Sequence, residues 1–178
     1  LAFLVDQYGL NCNHPAIRLA AGYILSCQTS DGDIRGILGN QLMPYYHAAI
    51  LALLIRAGYG DEPAVLHGLD WLLTVRQDDG GWIVPLQAVP AAQKQGAIWT
   101  ASPVPPDRSR PFSHMATGMV LRAFAAHPAY RNQPEVQAVG NLLKSRFFRP
   151  DRYNDRQAAT YWLKFRYPFW WTDLISSL

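Results

Sequence analysis

The residues here that most readily suggest chemistry are histidines set at a fixed distance from prolines. In PYYHAAILALLIRAGY from Pro44 and PFSHMATGMVLRAFA from Pro111, histidine stands three residues after proline; in PFWWTDLISSL from Pro168, Trp171 takes that place. Unpaired amide hydrogens at a helix start favour a bound anion and keep a nearby imidazole neutral. His47 and His114 would then be neutral donors or acceptors, with the aromatics Tyr45, Tyr46, Phe112, Phe169, Trp170 and Trp171 beside them. If these starts gather at one mouth, they make a polar ring with aromatic walls, which suits an amphiphilic ligand. The alternative is that the histidines bond to neighbouring helices and the aromatics fill the core.

The carboxylates and thiols point to less. Paired acids raise each other's pKa and can hold a proton for catalysis. The closest pairs, Asp31 with Asp33 in SDGDIRG and Asp78 with Asp79 in QDDGGW, lie where Asp and Gly favour turns, and are read as solvated. Cys12 and Cys27 form no CxxC pair, so neither a metal site nor a disulfide framework is expected, and a reducing, cytoplasmic compartment is the default. No cofactor is implied.

The elements that must position these groups are helices. HPAIRLAAGYIL, EPAVLHGLDWLL and QPEVQAVGNLL each place proline where its missing amide hydrogen loses nothing, which predicts helix starts at Pro15, Pro63 and Pro134. The segments from Pro44, Pro111 and Pro168 are read as a second, alternating series. In the Pro63 helix Val65, Leu66, Leu69, Leu72 and Leu73 make one apolar stripe, with Asp70, Thr74 and Arg76 turned elsewhere. The Pro44 helix is apolar nearly all round from Ala48 to Ile55, as a helix covered on every side should be. Half-wet helices alternating with covered ones predict an all-α fold in two concentric layers, an α/α toroid or a solenoid arc.

Length and composition set the bounds. The 178 residues fit one domain, residues 1–178, and 49% apolar content with 16% charge excludes global disorder. No apolar run approaches the roughly 20 residues of a membrane span. The opening LAFLVDQYGL has no initiator methionine and reads as a piece of a longer chain. The Pro-rich stretch 83–110 is an inserted loop, either a lid or rim or a plain surface excursion. Between Lys144 and Trp171 lie seven Lys and Arg against two Asp, with 10 of the 22 aromatics. That stretch suits a peripheral membrane contact, the seat of further repeats or another copy that completes the toroid, or a helix with buried aromatics and solvated charges. Nucleic acid is not expected, because no module for it is present.

One motif is specific. In GLDWLLTVRQDDGGW, Leu73, Gln77, Gly80 and Trp82 form the pattern of a QW motif: the helix ends near Gln77, the glycines allow a sharp exit, and the indole can lie back over the helix end. YILSCQTSDGDIRG keeps Ile24, Gln28 and Gly32 but has Ile34 in place of tryptophan, and the third copy has lost the glutamine. Over residues 14 to 178 the chain resembles the prenyltransferase and squalene oxidase repeat superfamily, squalene-cyclase-like proteins above all. The resemblance implies a toroid of helix pairs, of which about three are visible here and would make a partial toroid, and a hydrophobic small-molecule ligand of the isoprenoid class. Cyclases of that superfamily protonate their substrate with an Asp-x-Asp-Asp motif, and its protein prenyltransferases hold zinc with Asp, Cys and His. The sequence has no Asp-x-Asp-Asp, and its cysteines do not fit such a zinc site. The reading from a different class is a non-catalytic binding or scaffolding module that uses the concave side of a helical arc.

Overall fold

A computed structural model describes residues 1–35, 40–85, 102–153 and 159–164. Six α-helices follow in order: α1 (Ala2–Asp6), α2 (Pro15–Ser26), α3 (Pro44–Leu54), α4 (Pro63–Thr74), α5 (His114–Ala126) and α6 (Pro134–Lys144). A turn with a wider helical winding, Ile55–Tyr59, follows α3 and kinks at Gly58, where φ is 95°, and a 3-10 turn, Ala159–Leu163, follows α6. The described residues contain no strand, only an isolated bridge between Gln28 and Ile34. The fold is all-α, as the pattern of polarity required.

Proline is the first residue of α2, α3, α4 and α6. The Pro111 segment behaves differently. α5 begins at His114, with Ser113 as its N-cap accepting a hydrogen bond from the Ala116 amide, so Pro111 lies outside the helix. A serine hydroxyl satisfies a free amide where proline only avoids having one, and this fixes the boundary. His47 is therefore the fourth residue of its helix and His114 the first of its own, although both follow proline by the same interval.

The helices make two layers. The most extensive packing joins α3 to α5, with α4 laid against α3 and α6 against α5. Small side chains allow the inner pair to approach: Ala48, Ala52, Ala116 and Ala123 are buried among Leu51, Val120 and Phe124 in the main core. α4 comes close to α3 at Gly68, where an added Cβ would stand 3.0 Å from the His47 ring and from Leu51. The outer α4 keeps Val65, Leu69 and Leu72 buried and Asp70 exposed, as its stripe predicts. This arrangement is compatible with a partial toroid of helix pairs. The helix expected from Pro168 lies outside the described residues.

The end of α4 is closed by side chains. A helix leaves its last carbonyls without partners, and here three successive ones are taken. Thr74 Oγ1 donates to Trp71 O at 2.7 Å, Trp82 Nε1 to Leu72 O at 2.7 Å, and Arg76 Nε to Leu73 O at 3.2 Å. Trp82 is fully buried against Phe124, so its indole both fills the core and caps the helix. Gly80 holds φ at 101°, and a Cβ on Gly81 would fall 2.4 Å from Phe112 Cβ; glycine is required at both positions to bring the chain back.

Candidate functional site

The starts of the two inner helices carry the histidines, so the site is built from there. At α3, Tyr45 and Tyr46 are partly exposed with ring centroids 4.7 Å apart, and burial, then the neighbouring Tyr46, push the Tyr45 phenol up to about 12. His47, only 1% exposed, bridges two neighbouring segments. Its Nδ1 accepts the Ile34 amide hydrogen at 3.0 Å, which leaves Nε2 to carry the proton and donate to Gly68 O, also at 3.0 Å. The edge of Trp71 covers the ring at a centroid distance of 5.0 Å. Burial lowers the imidazole pKa to about 4, outweighing the Gly68 bond and the Asp33 charge, which favour the cation. His47 is thus neutral at pH 7 with a fixed tautomer.

At α5 the amide end meets an anion supplied by the chain itself. Asp151, buried at 5% exposure, accepts from the His114 amide at 3.0 Å and lies 3.5 Å from Ser113 Oγ, while Asp79 accepts from the Phe112 amide at 2.9 Å. A carboxylate facing the positive end of a helix is well placed electrostatically. The His114 ring is buried between Phe112 and Trp162, and its Nδ1 is 2.8 Å from the Tyr161 hydroxyl. Burial, then the nearby Arg146 and Arg152 charges, lower its pKa to about 4. Burial also raises the Tyr161 phenol far above its ordinary value.

The two histidines therefore rest on different partners, His47 on Ile34, Gly68 and Trp71, His114 on Tyr161, Phe112 and Trp162. Phe169, Trp170 and Trp171 lie outside the described residues. Of the QW-type residues, Gln77 is buried and its Nε2 donates to the carbonyls of Asp107 and, at 3.0 Å, Arg110, ahead of α5. Gln28 makes the matching bonds in the first copy, to Gly32 O at 2.6 Å and Ala64 O at 2.7 Å. Of the inserted loop 83–110, Ile83, Val84 and Pro85 are buried, residues 102–110 run along the helix ends, and 86–101 are not described.

Asp33 departs from the solvated reading given to its pair. It is 1% exposed, accepts from Thr29 Oγ1, and holds Arg35 by two bonds, at 2.6 and 3.2 Å. The guanidinium two residues on explains why a turn carboxylate goes inside, and that Arg35 was the signal in the sequence. Asp31, Arg35, Leu42, Trp71, Thr74 and Pro103 line an open cleft of about 590 Å³. Among the described residues no three His, Cys, Asp or Glu side chains converge as metal ligands, and no helix is long and apolar enough to cross a membrane.

Over 79 residues the chain is 30% identical to the squalene–hopene cyclase of Zymomonas mobilis subsp. mobilis. The likeness is to a squalene cyclase. It covers 44% of this chain and 12% of that cyclase, so the chain corresponds to a small part of its relative's length. No protein-family model matches the chain, and no solved structure does. A squalene-cyclase-like relationship and the all-helical, two-layered packing agree.

Proposed function

We propose that this chain is a squalene-cyclase-like repeat segment that handles an isoprenoid or similar hydrophobic substrate. The observation that carries the reading is the similarity to squalene–hopene cyclase, found on an all-helical chain whose packing is compatible with a partial toroid. In this reading the half-exposed Tyr45 and Tyr46 at the start of α3 would form the apolar wall, with Phe112, buried ahead of α5, backing it and Phe169, Trp170 and Trp171, outside the described residues, adding to it. His47 and His114, each 1% exposed, neutral at pH 7 and bonded to neighbouring segments, would hold the two helix starts behind that wall without themselves meeting substrate. None of the residues placed here is assigned the proton donor of a cyclisation; in this reading the wall binds and orients the substrate.

The test is mass spectrometry of lipids extracted with the full-length protein purified from its own host, followed by incubation with squalene. Enrichment of an isoprenoid over a mock purification is expected. Recovery of no isoprenoid, together with no binding of squalene, would overturn the reading.

A further inference from the structure

The loop that leaves α6 carries four cations and one carboxylate in KSRFFRPDRY, from Lys144 to Tyr153, and its fold holds three of those cations together. The chain turns back on itself through Arg146 N to Leu143 O, 2.9 Å, and Arg149 N to Arg146 O, 3.1 Å, with Phe148 in the left-handed region at φ 61°. A non-glycine residue in that region persists only when its surroundings hold it there. They do so here at several points. The buried Trp162 donates from Nε1 to Arg149 O at 3.0 Å, Asp151 is fixed to the His114 amide, and the Tyr153 hydroxyl donates to Val84 O at 2.6 Å.

Arg146, Arg149 and Arg152 form no ion pair among the described residues, and the carboxylate of their own loop, Asp151, accepts from the His114 amide. Arg146 is half-buried, donates to Pro150 O at 2.9 Å, and has its Nε buried without a hydrogen-bond partner. Burial lowers its pKa, and the fields of Arg152 and Arg149 lower it further, against the opposing fields of Asp151 and Tyr161. Arg149 and Arg152 are exposed. Like charges held close on a fixed loop repel unless an anion joins them, and arginine's planar fork suits phosphate oxygens. Beside them stand Phe148, 54% exposed, and Phe147, packed on Trp162 at 5.0 Å.

We propose that Arg146, Arg149 and Arg152 bind the phosphate or diphosphate group of a ligand whose apolar portion lies along Phe147 and Phe148. The assignment of an apolar portion rests on the isoprenoid reading above; the anion site itself rests on the loop. Because the tethers already fix the loop, binding orders little further chain.

The experiment titrates full-length protein with inorganic pyrophosphate by calorimetry, then with farnesyl diphosphate and with farnesol. Saturable pyrophosphate binding is expected, weakened about three- to tenfold by Arg149→Gln and again by Arg152→Gln, and weakened by added salt. Both side chains are exposed and make no described hydrogen bond, so these variants should fold; unchanged melting temperatures check this. Arg131→Gln, an exposed arginine outside the loop, should bind as the wild type does. On saturation the His114 pKa, read by NMR, should rise as the anion offsets the Arg146 and Arg152 charges. Tighter binding of farnesyl diphosphate than of pyrophosphate supports the apolar portion, and equal binding removes it while leaving the anion site. No saturable pyrophosphate binding, equal affinity in the Arg149→Gln/Arg152→Gln double variant, or binding only to phosphatidylglycerol vesicles would each overturn the site. Isoprenoid recovered with a protein that ignores pyrophosphate would sink this inference and leave the proposed function standing.

Discussion

Acid should destabilise this fold through His47 before it protonates most carboxylates. The ring sits between the Ile34 amide and Gly68 O with its pKa lowered to about 4 by burial, against an ordinary value of 6.5. A group whose folded pKa is depressed binds its proton more readily in the unfolded chain. Its contribution is therefore complete above pH 6.5 and is lost as pH falls toward 4. At about 1.4 kcal/mol per unit, the whole effect is about 3 kcal/mol, with about 2 kcal/mol gone by pH 5. The control is His47→Gln, which cannot titrate and fills neither bond well; it should be less stable than wild type by about 2–4 kcal/mol at pH 7.5. Urea unfolding of both proteins at pH 7.5, 6 and 5 should show that gap closing by about 2 kcal/mol. A gap that is constant with pH, or that widens in acid, would refute the placement of a neutral, doubly bonded imidazole.

Two further substitutions test the helix end and the glycines. Trp82→Phe keeps an aromatic ring and strands Leu72 O, so it should cost about 1–2 kcal/mol, whereas Trp82→Ala also opens a cavity and should cost about 3–5 kcal/mol; thermal unfolding that cannot separate either variant from wild type would remove the capping role. Gly81→Ala, whose new methyl would meet Phe112, should destabilise by about 1–3 kcal/mol or more, while Gly140→Ala, within α6 and with open space around it, should stabilise by about 0.5–1 kcal/mol. Equal melting temperatures for the two glycine variants would contradict the packing.

The layers were legible because they follow from polarity. α3 reads as covered since Ala48, Leu51 and Leu54 leave no wet face, and α4 as half-wet since Asp70 stands off its apolar stripe, on the solvent side. Among the described helices proline marked the starts of α2, α3, α4 and α6 for the same local reason, gave no signal for α1, and failed at α5, where Ser113 and Asp151 supply what proline merely avoids needing. The histidine environments were less legible, because spacing from proline is not spacing along a helix: His47 and His114 stand at different turns. The burial of Asp33 and the use of Asp151 depend on contacts with Arg35 and with the start of α5, and Asp151 lies 37 residues from the helix it serves.

The glutamines at the ends of α2 and α4 both reach forward along the chain, Gln28 to Ala64 O in the next outer helix and Gln77 to the carbonyls that lead into the next inner one. Each clasp joins a unit to its successor, and Gln28 also closes its own turn at Gly32 O. Loosening one unit thereby unlatches the next, so the helices should open as a linked series, with slow amide exchange shared across neighbouring pairs instead of confined to separate helices.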